Sequence, residues 1–200
     1  MLEALLGKHV PSAAVAYCLG LWQEHPFSFK ITRSRSSCLG NYKYEAGKHT
    51  ITVNNDLNRY SFLVTFIHEV AHMHVQLGIK TFRKRPQPHG KEWKSAFQNI
   101  FLPVLNEEVF PLELLAVLSS HMRNPAASST RDPVLMKALR AYDERPEEAF
   151  HLEEVGRGES FLFKGRVFKK IEERRTRALC LEVRTQRKYT IPLMAEVKKI

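Results

Sequence analysis

Apolar residues recur at two periods along this chain, and the switches between them mark its elements. Residues 1–25 read as helical, with Val15, Leu19 and Trp22 facing inward, Pro11 where a first turn tolerates it, and His25-Pro26 as the stop. Phe27, Phe29 and Ile31 then alternate with polar residues, as do Tyr42 and Tyr44, and Gly47-Lys48 turns the chain into Thr50–Val53. That pattern predicts two or three strands of a small sheet. Asn54-Asn55-Asp56 supplies helix-start chemistry, with Ser61 as a further cap, and Phe62, Phe66, Ile67, Val70 and Ala71 keep helical spacing up to Gly78. Residues 79–88 form a cationic loop broken by Pro86 and Pro88. A second helix follows His89-Gly90, with Trp93, Phe97, Ile100 and Phe101 on one face and Pro103 at its end, and a short helix runs near 111–122.

The small, polar stretch 124–131 (NPAASSTR) is the linker candidate, followed by helical patterns at 133–142 and 146–155. From 159 to 193 the period becomes two, with Phe161/Phe163, Val167, Ile171, Leu179/Leu181/Val183 and Tyr189/Ile191 in alternation and Gly165 at a hairpin turn. The expected class is α+β: helices with a short sheet in residues 1–124, a linker and helical connection in 125–150, and a small antiparallel β unit in 151–200.

Composition adds three constraints. The chain has 200 residues, 44% of them hydrophobic, enough for a real core. Its 31 Lys and Arg against 21 Asp and Glu leave a net charge of +10, which attracts polyanions and makes DNA, single-stranded or duplex, a candidate partner. Three scattered cysteines (Cys18, Cys38, Cys180) suit a reduced compartment and exclude a four-cysteine zinc ribbon. No apolar run approaches the roughly 18 residues of a membrane span, so no membrane role and a cytoplasmic location are expected.

The chemistry lies in His68-Glu69-Val70-Ala71-His72. Positions i and i+4 share a helix face, so His68 and His72 can bind one ion, with Glu69 beside them as a proton acceptor rather than a ligand. His89, at the mouth of the next helix, is the third candidate ligand. Three imidazoles with one open position describe a catalytic zinc, one per chain, whereas a structural zinc takes four protein ligands. His74 points away from the face shared by His68 and His72.

These residues resemble the SprT-like metallopeptidases, which carry HExxH followed by an HGxx(F/W) element, here His89-Gly90-x-x-Trp93. The segment from Arg33 to Tyr42 resembles the strand preceding the zinc helix in that family, and Ile51–Asn54 its next strand. The likeness covers roughly residues 10–125. It implies a minimal zincin-like fold, with helices enclosing the zinc under a short sheet, and a protein substrate. Spartan-type relatives degrade proteins crosslinked to DNA, so the resemblance also implies DNA-associated substrates. The chain departs from the family at its C-terminus, where many members have a four-cysteine ribbon and residues 150–200 have one cysteine.

Residues 151–200 hold 13 Lys/Arg against 7 Asp/Glu. Lys169, Lys170, Arg174, Arg175 and Arg177 interleave with Phe161, Phe163, Phe168 and Tyr189, as phosphate contact with base stacking would require. Alternation also permits the reverse, with aromatics in a core and charges in water. Lys80, Arg83, Lys84 and Arg85, between the second and third histidines, are the other candidate nucleic-acid contacts. The competing reading is a nucleic-acid-binding protein whose zinc only braces the fold.

Overall fold

The computed structural model describes residues 2–35, 38–79, 86–126, 132–143 and 150–200. The class is α+β, and contacts divide the chain into two compact units, Met1–Asp143 and Glu144–Ile200.

The first unit opens with two helices rather than one, α1 (Leu2–His9) and α2 (Val15–Glu24). A 3-10 turn, Ser12–Ala14, joins them because Pro11 has no N–H with which to continue α1. The inward stripe is Leu6, Val10, Ala14, Cys18 and Leu21, while the expected Val15, Leu19 and Trp22 sit half-buried at its margin. Both stripes are apolar at helical spacing, and small Ala14 and Cys18 take the closely packed side.

Strands β1 (Ser28–Thr32), β2 (Gly40–Glu45) and β3 (Lys48–Asn54) form a sheet of order β1-β3-β2, with β1 parallel and β2 antiparallel to β3. Ala46 and Gly47 have φ of 48° and 78°, the two positive values of a type I′ hairpin turn. That two-residue turn makes Glu45–Lys48 a hydrogen-bonded pair, so Tyr42 and Tyr44 present their backbone groups on the free edge of β2.

Helix α3 (Arg59–Leu77) is the centre of this unit, with Phe62, Leu63, Phe66, Ile67, Val70 and Ala71 all at 1% exposure or less. Each of these side chains except the small Ala71 stabilises the fold by about 1.5–3 kcal/mol relative to exposure. The cap is Asn58, not the expected Asn54–Asp56 or Ser61: its carboxamide oxygen accepts from the N–H groups of Tyr60 and Ser61, both at 3.0 Å. Asn54 instead lies buried, donating to the carbonyls of Arg35 and Cys38 and accepting from Arg35 Nε, which organises the approach to β2.

Helices α4 (Lys91–Phe101), α5 (Leu112–Met122) and α6 (Pro133–Arg140) complete the unit. The expected boundary at 124 moves to 143, because Leu135 and Leu139 of α6 join the first core and Asn58 donates to Leu139 O and to the Asp143 carboxylate.

The second unit is a six-stranded sheet of order β4-β9-β5-β6-β7-β8. Its strands are β4 (Phe150–His151), β5 (Ser160–Phe163), β6 (Arg166–Glu173), β7 (Arg177–Glu182), β8 (Lys188–Pro192) and β9 (Glu196–Lys199). The part of the expected 146–155 helix that the structure describes is β4 and a 3-10 turn, Leu152–Glu154. Inward positions are Phe161, Phe168, Ala178, Cys180, Ile191 and Val197. Val167, Leu179, Leu181 and Val183 therefore lie on the opposite face, the reverse of what period two alone suggested for β6 and β7. Strand β9, unforeseen from the sequence, closes the sheet between β4 and β5.

Candidate metal centre

His68 and His72 stand one turn apart on α3, and His89 precedes α4 in left-handed backbone with φ of 57°. Gly90 lets that turn close, since a Cβ there would lie 3.0 Å from Gln87 O. The three Nε2 atoms form a triangle: 3.3 Å from His68 to His72, 3.2 Å from His68 to His89 and 3.0 Å from His72 to His89. Among the described residues this is the one group of three or more side chains that could hold a metal ion. Burial first, and the neighbouring imidazoles second, pull His68 down to about 3 and His72 down to about 4. Both rings are therefore neutral at pH 7. Neutral imidazoles whose Nε2 atoms converge at this spacing can aim three lone pairs at one cation, so the donor set fits a divalent ion.

Trp93 forms the floor. Its ring lies 4.6 Å from His68 and 4.8 Å from His89, and its indole N–H donates to His68 O at 3.4 Å. Tyr42 lies parallel to the His72 ring at 6.5 Å, its hydroxyl 2.8 Å from His49 Nδ1.

Glu69 is only 6% exposed, and its carboxylate accepts a hydrogen bond from the Tyr42 backbone N–H. Gly40 makes that approach possible: a Cβ there would meet Thr65 Cγ2 at 2.6 Å and Glu69 Oε1 at 2.7 Å. Burial raises Glu69 to about 8, against the opposing pull of the Tyr42 N–H and of Arg35. Gly40, Tyr42 and Arg35 thus act on the site without belonging to its histidine motif. A glycine inside a strand pattern, two residues before Tyr42, was the sequence signal for the close approach.

Residues 16–110 match the family model described as the SprT-like family. This segment belongs to the SprT-like family. No curated protein and no solved structure matches the chain. The SprT-like segment runs from the first turn of α2 to Phe110, two residues before α5, and contains His68, Glu69, His72, His89, Gly40, Tyr42 and Trp93. Helices α1, α5 and α6 and the whole second unit lie outside it.

The expected nucleic-acid contacts fare unevenly. Lys80, Arg83, Lys84 and Arg85 lie outside the described residues. Lys170 is a correction: at 3% exposure it points into the second core, donating to Leu152 O at 3.0 Å and Val155 O at 2.7 Å and pairing with Glu173 at 2.9 Å. An amine surrounded by carbonyls in a core cannot reach a phosphate. Lys169, Arg174, Arg175 and Arg177 are exposed, the three arginines clustering at the β6–β7 turn. The aromatics expected to stack on bases face the core, with Phe161 at 0% and Phe168 at 1% exposure. No helix among the described residues is long and apolar enough to cross a membrane.

The shifted groups predict how the metal-free protein responds to pH. Below about 6.5 the unfolded chain protonates its histidines while folded His68 and His72 resist until about 3 and 4, so stability falls as pH falls. Glu69 acts oppositely: the unfolded carboxyl ionises near 4.5 while the folded one holds its proton to about 8, so stability falls as pH rises between them. With two histidines outweighing one glutamate in the acid range, stability in a chelator should peak near pH 6.5. Urea midpoints across pH 4–9 test this. Glu69→Gln should flatten the limb between 6.5 and 8, and an unchanged limb would refute the assignment to Glu69.

Proposed function

We propose that the first unit is a zinc-dependent endopeptidase in which His68, His72 and His89 hold one zinc ion and Glu69 handles protons. The observation that carries this is the Nε2 triangle of 3.0–3.3 Å edges beside a buried carboxyl group that is not one of its corners. Zinc–nitrogen bonds of about 2.0–2.1 Å at the tetrahedral angle put donors about 3.3–3.4 Å apart, close to these edges. A structural zinc would take a fourth protein donor, and among the described residues only three converge. That favours the enzyme over a nucleic-acid-binding protein with a merely bracing metal.

Zinc, when bound, would supply Lewis acidity toward a peptide carbonyl and toward water. The positive charge of bound zinc would favour the ionised form of Glu69, which would then accept the proton of the attacking water and return it to the departing amine. The Tyr42 N–H holds the carboxylate for both transfers. The free edge of β2, where Tyr42 and Tyr44 present unshared carbonyls to a neighbouring chain, suits an extended protein substrate added as a further strand.

Gly40→Ala should therefore damage catalysis more than stability or metal binding. The methyl group must displace Glu69 or Thr65, and a shift approaching 1 Å near the chemistry costs about 100-fold in rate. Turnover of a peptide substrate, beside zinc stoichiometry, reads this, and an active Gly40→Ala would mean that Glu69 has room to move without consequence.

DNA-associated proteins are the substrate class we infer, supported by the net charge of +10 and by the exposed Arg174, Arg175 and Arg177. The test is digestion of a DNA-binding protein by the zinc-loaded chain, with and without single-stranded DNA. Cleavage raised by DNA supports the whole reading. Cleavage indifferent to DNA keeps the peptidase and discards the DNA association. Zinc bound at one per chain with no cleavage of any protein tried would favour the bracing metal.

A further inference from the structure

The second unit has a sheet face that its own core does not use. Leu162, Val167, Leu179, Leu181 and Val183 alternate with the inward residues of β5, β6 and β7 and the residue after it, and none belongs to the core cluster. Val167 and Val183 are 37% and 45% exposed. The register places them side by side: Leu162 pairs with Val167, the Val183 N–H donates to Val167 O, and Leu181 lies between Lys169 on β6 and Lys188 on β8. Five aliphatic side chains clustered on one face exceed the scattered exposure that needs no explanation.

Two features restrict what could cover this face. Lys169 and Lys188 flank it, and Arg177 lies across from Pro192 at its end, whereas Glu172, on the same face, lies 3.7 Å from Arg174. The charge therefore selects an acidic partner. The aromatic side chains that could stack on bases point the other way, since Phe161 and Phe168 are buried in the core and Phe163 and Tyr189 pack against it. A phosphate backbone laid over five aliphatic side chains would lose hydration without gaining contact.

We propose that this face docks an acidic amphipathic helix of a partner protein. Lys169 and Lys188 are two strands apart, about 10 Å. Residues i and i+7 of a helix are separated by about 10.5 Å, with i+3 and i+4 between them on the same side. A helix crossing the strands thus sets acidic side chains at i and i+7 against the lysines and aliphatic ones at i+3 and i+4 against Leu181 and its neighbours. This surface is independent of the peptidase site and stands or falls without it.

The test uses the full chain and a synthetic helical peptide with Glu at i and i+7 and Leu at i+3 and i+4, beside the same peptide with Lys in place of Glu. Binding is read by fluorescence anisotropy and located by methyl NMR of the leucines and valines. The Glu peptide should bind at least 10-fold more tightly than the Lys peptide and shift Leu162, Val167, Leu181 and Val183. Leu181→Asp should weaken it at least 10-fold. Val183→Asp, at a more exposed position, repeats the test should Leu181→Asp misfold. The double change Lys169→Glu with Lys188→Glu should reverse the preference between the two peptides. Equal binding of both peptides, or binding unaffected by Leu181→Asp and Val183→Asp, would overturn the proposal. So would a single-stranded oligonucleotide that shifts the same methyl groups, or self-association of the chain lost in Val183→Asp, which would give the face to DNA or to a second copy.

Discussion

Glu69→Gln should abolish peptide cleavage while leaving the fold and the metal in place. Positioned proton transfer contributes about 100- to 10,000-fold in rate, and a glutamine can neither take nor return a proton. The substitution is close to isosteric, so it introduces no new volume beside Gly40, where there is none to spare. Nor should it unfold the protein. The native carboxyl is buried strongly enough to hold its proton to about 8, and a neutral amide removes the cost of ionising it there. The variant should therefore bind zinc at one per chain, unfold at equal or higher urea in a chelator at pH 8, and cleave at background rate. Residual cleavage within tenfold of the parent would remove Glu69 from the proton-transfer role.

His89→Ala should have the second-largest effect, on metal rather than on chemistry. His68 and His72 share one helix, so their spacing is set by α3 alone. His89 arrives from a separate segment, and its Nε2 closes the triangle at 3.2 Å and 3.0 Å. Without it two imidazoles remain, and zinc affinity should fall by more than the roughly 100-fold that losing an outer hydrogen-bond partner can cost. Competition with a chromophoric chelator measures this directly. Zinc should raise the melting temperature of the parent and not that of the variant, because a ligand stabilises only as far as its concentration exceeds its dissociation constant. Zinc retained at full stoichiometry would exclude His89 from the centre. The substitution keeps a non-glycine residue at φ of 57°, so backbone strain does not confuse the comparison.

Local pattern made much of the first unit readable. Helix α3 is legible from Phe62, Phe66, Ile67, Val70 and Ala71, and α4 from Trp93, Phe97, Ile100 and Phe101, because each repeats at helical spacing over about two and a half turns or more. The cap is not legible locally, since Asn54, Asn55, Asp56 and Asn58 all have side chains suited to capping and only the docking of α6 makes Asn58 useful twice. The second unit was harder. Its strands alternate apolar residues on both faces, so period two located the strands without saying which face was the core. Lys170 shows the consequence: its neighbours in sequence are cations and aromatics, and nothing local reveals the carbonyls of Leu152 and Val155 around its amine.

The sequence by itself determined the chemistry available: two imidazoles one helical turn apart, a carboxyl beside them, a third imidazole at the next helix start, and an excess of cations. These follow from covalent order and helical period, which act over a few residues. Only the tertiary structure decided that three nitrogens converge, that β2 approaches Glu69 closely enough to require Gly40 and to supply the Tyr42 N–H, and which face of the second sheet is left open. Those depend on how surfaces far apart in sequence pack. Close packing is a property of shapes meeting in space, and no local period encodes it.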